Sequence, residues 1–213
     1  MVWPFFDLRI TCGEVLLRGI TDEDLDVLAQ AMPDDLELNP ADEQFDTLAP
    51  DVDRRRRLVM EVWRHRGTWS PRSWCLDLAV EVGGRVVGVQ ALEAERFPEL
   101  RTVDSYSWLT TEGRGRGLAT SMRSGVLALA FDHLGAEVAV SSARTDNAAS
   151  LAVSRRLGYV DNGVSRTVTP TGPFELQHVL LPVEVWRQSG RTAEVRGLEP
   201  CLPWFGIAPD DVS

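Results

Sequence analysis

TTEGRGRGLAT, residues 110–120, sets glycines at 113, 115 and 117, interleaves them with Arg114 and Arg116, and runs directly into an apolar, helix-favouring segment. Strand propensity precedes it, so the order is strand, glycine loop, helix. Such a unit aims several backbone N–H groups and the positive end of a helix dipole at one point, which is a site for phosphate. A nucleotide-hydrolysing P-loop needs Gly-Lys-Ser/Thr, and the chain contains no lysine. Gly115, Gly117 and Thr120 also overlay a dinucleotide-binding fingerprint with Thr in place of the third glycine. That fingerprint opens a βαβ unit and expects an acid after the next strand, whereas here a meander of strands precedes the loop and Arg144 stands near the acid's place.

Upstream, Glu14 to Arg18 reads as a strand, and Thr21 caps a helix through DEDLDVLAQAM with Asp24 at the capping-box position. Residues 33–50 carry three prolines and many acids and form a loop or broken helix. Arg54 to Arg57 resemble a binding patch. Asp51 and Asp53 just before them, and Leu58, Val59, Val62 and Trp63 at helical spacing after them, make the stretch the solvated face of an amphipathic helix. CLDLAVEV, Gly83-Gly84 and RVVGVQALEAE form a hairpin, and a third strand runs from about Arg101 to Thr111. After the loop, a helix is expected over Arg116 to Leu134, stopped by Gly135. A strand at 137–142, a helix at 147–157, strands at about 159–168 and 174–181 and a short helix near Val185 and Trp186 complete the pattern. The tail keeps Leu202, Trp204, Phe205 and Ile207, too apolar for a solvated linker.

The chain of 213 residues is 44% hydrophobic and 25% charged, enough to bury one core. Its net charge of −10 argues against nucleic acid as a partner; residues 1–53 alone hold 14 acids against Arg9 and Arg18. No apolar run approaches the roughly 18 residues that spanning a bilayer needs, and MVWPFFDLRI lacks the order of a signal peptide, so a cytoplasmic protein without membrane association is expected. Cys12, Cys75 and Cys201 are odd in number, far apart and without a neighbouring His in sequence, which suggests neither a disulfide framework nor a metal site.

Arg114-Gly115-Arg116-Gly117-Leu118-Ala119 resembles the Arg/Gln-x-x-Gly-x-Gly/Ala signature of the GCN5-related N-acetyltransferases (GNAT), whose amides bind the pyrophosphate of coenzyme A. DNAASLAVSRRLGY resembles that family's second motif, Asn-x-x-Ser before a helix ending in Leu-Gly-Phe/Tyr. VDSYSWL resembles the strand of the branch that acetylates ribosomal-protein N-termini. The resemblance implies an α/β fold with a central mixed, mostly antiparallel sheet of six to seven strands, flanked by about four helices and splayed at the CoA site. It also implies one domain over 1–187, with 188–213 an extension packed on it or on a partner subunit, a homodimer being one arrangement.

Acetyl-CoA or another acyl-CoA is the implied co-substrate, held at Trp108, Leu109, Thr110, Arg114, Gly115, Arg116, Gly117, Leu118, Ala119, Thr120 and Asn147. Acyl transfer to an amine needs a base, stabilisation of developing charge and a proton for the departing thiolate. Asp104 matches the family's acid, one carbon shorter than the usual Glu, with Glu93 and Glu95 as rivals for the base. Ser150 matches the candidate donor to the CoA sulfur. The tyrosine that many relatives place four residues further on is replaced by Ser154, and another acid used by some relatives falls near Thr169. Trp63, Trp69 and Trp74 fall where the family walls its acceptor site, and the acid-rich stretch 19–53 is expected beside the acceptor entrance, favouring a cationic amine. A non-catalytic acyl-CoA-binding module is the alternative reading.

Overall fold

Arg9–Cys12 (β1), Val15–Gly19 (β2), Trp74–Val82 (β3) and Arg85–Ala94 (β4) form an antiparallel meander whose inward residues are Ile10, Val15, Leu17, Leu76, Leu78, Val80 and Leu92. A computed structural model describes residues 2–36, 38, 43–169 and 172–207. Gly83 and Gly84 both take positive φ, 57° and 76°, which a two-residue hairpin turn requires between Val82 and Arg85.

The strand expected over 101–111 is broken in two. Thr102–Asp104 (β5) pairs in parallel with Val138–Arg144 (β7), while Ser107–Leu109 (β6) turns away and pairs with β4. Ser105 and Tyr106 make the break, and the Asp104 carboxylate stabilises it by accepting the Ser105 N–H at 2.6 Å. Gly88 lets β6 come close, since a Cβ there would collide with the Trp108 carbonyl oxygen. From Ser105 onward a gap therefore separates β6 from β7, with Asp104 at its vertex.

Beyond β7 come Gly172–Pro182 (β9) and, at one edge, Val160–Thr169 (β8); Glu194–Arg196 (β10) forms the other edge against β1. Among the described residues ten strands result, where six to seven were expected. The broken strand counts twice, and β1 and β10 are short segments whose alternation is hidden by flanking polar residues. Only β5–β7 is parallel.

Helices cover both faces. Asp22–Ala31 (α1) starts with a full capping box between Thr21 and Asp24, and Pro50–Gly67 (α2) packs beside it. Together they bury Leu25, Leu28, Leu58 and Val62 against Ala79, Val89 and Trp108. A single turn at Phe97–Leu100 (α3) follows β4. On the opposite face Leu118–Ala128 (α4) and Ala148–Leu157 (α5) bury Leu118, Met122, Val126, Leu151 and Leu157. The helix expected to reach Leu134 widens into a π-turn over Leu129–His133. Val183–Gln188 (α6) seats Trp186 on Phe131 at 5.8 Å.

Of the three tryptophans expected at the acceptor wall, Trp74 lines the cavity beside Asp104 and Glu93, and the other two do not. Trp63 is 47% exposed and Trp69 and Trp74 stack on one another at 5.8 Å within a cluster that includes Phe5, Phe97 and Phe205. The helix geometry turns Trp63 outward because Val62 and His65 already occupy the buried face. The arginine run is not merely solvated. Arg54 donates to the carbonyls of Pro33 and Leu36, and Arg56 to the carbonyl of Glu43, so the run fastens the acidic segment that precedes α2. Residues 199–205 bury Cys201, Leu202 and Phe205, and the Trp204 carbonyl accepts the Trp69 Nε1 proton at 2.8 Å. Their own chain covers these apolar side chains.

Candidate active site

The glycine loop ends at Gly117, whose φ of 82° makes it the left-handed residue at the start of α4. It offers no side-chain cap, so the first amides of the helix remain available to a ligand, and Thr120 N–H alone turns back to the Gly117 carbonyl. Gly115 also has positive φ, and a Cβ built on either glycine would enter open space. An uncapped helix start faced by empty volume is the geometry an anionic group needs. Leu118 is buried and anchors the helix, Ala119 is half-buried, and Thr120 accepts a long bond from Arg156. Arg116 is exposed, 3.7 Å from Glu14.

Arg114 departs from the simple expectation. Its guanidinium makes two 2.7 Å bonds to Asp35 and reaches toward the Leu109 carbonyl. At Asp35, the acidic stretch thus meets the glycine loop, and Arg54 holds the 33–36 turn in place.

Along β6 the backbone alternates. Tyr106, Trp108 and Thr110 direct their main-chain groups to β4, as the bonds Ala91 N to Tyr106 O and Thr110 N to Val87 O show. Ser107 and Leu109 consequently present theirs to the gap, so of Trp108, Leu109 and Thr110, expected to hold the acyl-CoA, only Leu109 turns its backbone groups to that gap. Asn147, at the far side, is the N-cap of α5; its side chain accepts the Ser150 N–H at 3.0 Å. Ser150 is half-buried, and its carbonyl accepts the Ser154 hydroxyl.

On the other face of the sheet, at the vertex of the gap, lies a cavity of about 570 Å³ whose lining includes His65, Trp74, Cys75, Glu93, Glu95 and Asp104. Asp104 and Glu93 are direct cross-strand partners, so two carboxylates share one face. Burial pushes Asp104 up to about 6; the Ser105 amide pulls against this and the Glu93 charge adds to it. Glu93 is likewise raised, first by burial, with His65 opposing. Glu95 sits exposed at the rim.

Sequence reasoning missed the wall behind these acids. His65 Nδ1 lies 2.8 Å from Asp77, and the second Asp77 oxygen accepts the Tyr106 hydroxyl at 2.9 Å. Cys75 joins them, with donor atoms of His65, Cys75 and Asp77 all within 4.8 Å. Both oxygens of Asp77 are thus taken up in a hydrogen-bonded chain. Burial disfavours the His65 imidazolium, but Asp77 outweighs it and raises the pKa. Nothing in the sequence signals this, because Asp77 falls at a regular polar position in the alternation of β3, on the face opposite Leu76 and Leu78.

An uncapped helix start behind the glycine loop, a break in the sheet and an acidic cavity are thus present, and a family model described as acetyltransferase (GNAT) domain matches residues 14–160. The chain belongs to the GNAT acetyltransferases. Among solved structures, RimJ of Mycobacterium smegmatis in complex with CoA-disulfide superposes with a TM-score of 0.67 at 17% identity, over 90% of this chain and 98% of that one. A GNAT-family acetyltransferase from Bacillus anthracis gives 0.65 at 13% identity, over 83% and 99%. RimL, a ribosomal L7/L12 alpha-N-protein acetyltransferase in complex with coenzyme A, gives 0.63 at 16% identity, over 82% and 97%. These likenesses bear out the fold, including the large open sheet.

Proposed function

We propose that this GNAT protein moves an acetyl, or other short acyl group such as succinyl, from CoA to a primary amine of a peptide or small molecule, with Asp104 as the base. The observation that carries the reading is the strand break that turns β6 away from β7, with the uncapped glycine-loop helix start after β6 and the Asp104–Glu93 carboxylate pair at the break. The bound acyl-CoA supplies the activated acyl group. Gly115, Gly117 and the amides of Leu118 and Ala119 hold its pyrophosphate; the Leu109 backbone and the Asn147 region orient its arm. Asp104 takes a proton from the acceptor amine, directly or through a water, and a carboxyl ionising near 6 is matched to that task. Glu93 shares the proton with it.

The same acids supply the acceptor preference. Glu93, Glu95 and Asp104 around one cavity attract a cationic amine such as a protein N-terminus, and the fold's likeness to RimL supports a protein acceptor. Three free thiols fit a reducing, cytoplasmic setting, and among the described residues no helix is long and apolar enough to cross a membrane. The test is CoA release from acetyl-CoA with cationic, neutral and anionic amines at low and high salt. Steering predicts a preference for cations that fades with salt; a best acceptor that is anionic, or no thiol release with any amine, refutes the reading.

A further inference from the structure

α4 carries a charge that the fold does not need. Arg123 is 5% exposed, yet no carboxylate among the described residues lies within ion-pair distance of it. Its one hydrogen bond runs from Nη1 to the Ser154 hydroxyl at 2.8 Å, and its Nε finds no partner. The hydroxyls of Ser105 and Tyr159, both buried beside it, are also without partners of good geometry. Ser141, on β7, completes the group by donating to the Ser105 carbonyl. A buried guanidinium with a single neutral partner is costly. A purely structural site would be filled by an apolar side chain.

The position of this cluster gives the charge a use. Arg123 lies six residues into α4, about 9 Å along the helix from the phosphate cradle. Ser105 stands at the vertex of the gap, and successive strand residues face opposite sides. Asp104 therefore looks into the acceptor cavity while Ser105 looks back at Arg123. Asp104 is near enough to act electrostatically on this cation, so an acyl donor that reaches from Gly117 to Asp104 ends close to it. This argument rests on the transferase reading above.

We infer that Arg123, held by Ser154, stabilises the thiolate that leaves the acyl donor, and so replaces a proton-donating side chain on α5. When the amine nitrogen bonds to the acyl carbon and the carbon–sulfur bond breaks, the electron pair departs on sulfur. The amine proton goes to the Asp104–Glu93 pair, and the thiolate takes up a proton later, from that pair or from water. The charged groups facing Arg123 are few. Asp104 from β5 adds a favourable field and Tyr159, ahead of β8, is the other titratable neighbour.

The decisive measurement is the ionisation of the CoA thiol when bound, followed by thiolate ultraviolet absorbance against pH, with CoA lacking its sulfur as the reference ligand. In the wild-type protein the thiolate population should rise about 10- to 1000-fold over free CoA, the range an opposite charge within a few ångströms produces. Arg123→Met should abolish that rise, keep affinity for the sulfur-free analogue, and lower kcat about 10²- to 10³-fold. Because the variant removes a buried charge, its melting temperature should hold or increase. Arg123→Lys should retain part of the thiolate shift. A wild-type protein that binds CoA with an unshifted thiol overturns this inference alone, whatever the variants do; one that binds no CoA overturns the transferase reading with it. An Arg123→Met protein that unfolds while Arg123→Lys leaves the thiol of bound CoA unshifted makes the arginine structural.

Discussion

Asp104→Asn should make the protein slower and, above neutral pH, more stable. The carboxyl ionises at about 6 in the folded chain against 3.8 in the unfolded one. Between those values the folded state binds more protons than the unfolded state, so stability falls as pH rises, and it levels off above about 6. Over that window the cost amounts to ~3 kcal/mol. Asn removes the ionisation while keeping the volume and an acceptor for the Ser105 N–H, a bond that loses about 1 kcal/mol when the acceptor becomes neutral. The variant should thus gain roughly 1–2 kcal/mol at pH 8 and nothing at pH 4. Urea unfolding of both proteins at intervals from pH 4 to pH 8 measures the difference, and groups common to the two cancel. In parallel, wild-type kcat/KM should rise with pH through about 6, and the variant should lose on the order of 10² in rate. A stability difference that ignores pH, or an Asn variant weaker at pH 8, would show that Asp104 is not the buried, proton-holding carboxyl described here.

The other predictions concern the cradle and the C-terminal cap. Gly117→Val should eliminate the CoA-induced rise in melting temperature while the protein stays folded, because the new side chain enters the open cradle and the left-handed backbone costs only about 1–2 kcal/mol; normal CoA binding would reduce the loop to a turn. Phe205 is 1% exposed amid Phe5, Trp69 and Trp74, so Phe205→Ala should cost about 3–5 kcal/mol in urea unfolding. Deleting 188–213 should cost more, since it also removes β10 and the acceptor of the Trp69 Nε1 proton. An unchanged midpoint in either protein would place the tail outside the core.

The sequence shows clearly what repeats or has a turn residue to announce it. The Gly83-Gly84 hairpin, the Thr21–Asp24 box and the glycine loop are all local, and each is found where local chemistry puts it. The break at Ser105–Tyr106 has no such signal. It depends on Gly88 across the sheet and on the Asp104 carboxylate bending back to its neighbour's amide. The site's second layer is equally non-local. His65 and Asp77 come from a helix and a strand, and Arg123 and Ser154 from two helices whose contact no periodicity encodes. A helix pattern even marks Arg123 as an error, a charge on an apolar face, and that conflict between local rule and position is what identifies it.

A chain with net charge −10 must still bind an anionic donor, and the arrangement of its arginines explains how. Arg114 and Arg116, the two charges nearest the cradle, are each paired to an acid from elsewhere, Asp35 and Glu14. Both pairs are solvent-exposed, and ion pairs in water contribute little to the fold. The acids therefore hold the guanidiniums near the loop without binding them tightly, and a phosphate, with more charge and a helix start beside it, competes well for them. Asp35 reaches the loop because Arg54 fixes its turn, so the arginine run that resembled a binding patch acts instead through the acidic segment. On the far face the carboxylates of Glu93 and Asp104 form no ion pair with an arginine among the described residues, although Arg64 lines the same cavity and acts on Glu93. The acidic cavity and the arginines of the glycine loop thus lie on opposite faces of one sheet. Arg123, buried between them, lies where the negative charge of the leaving thiolate would appear.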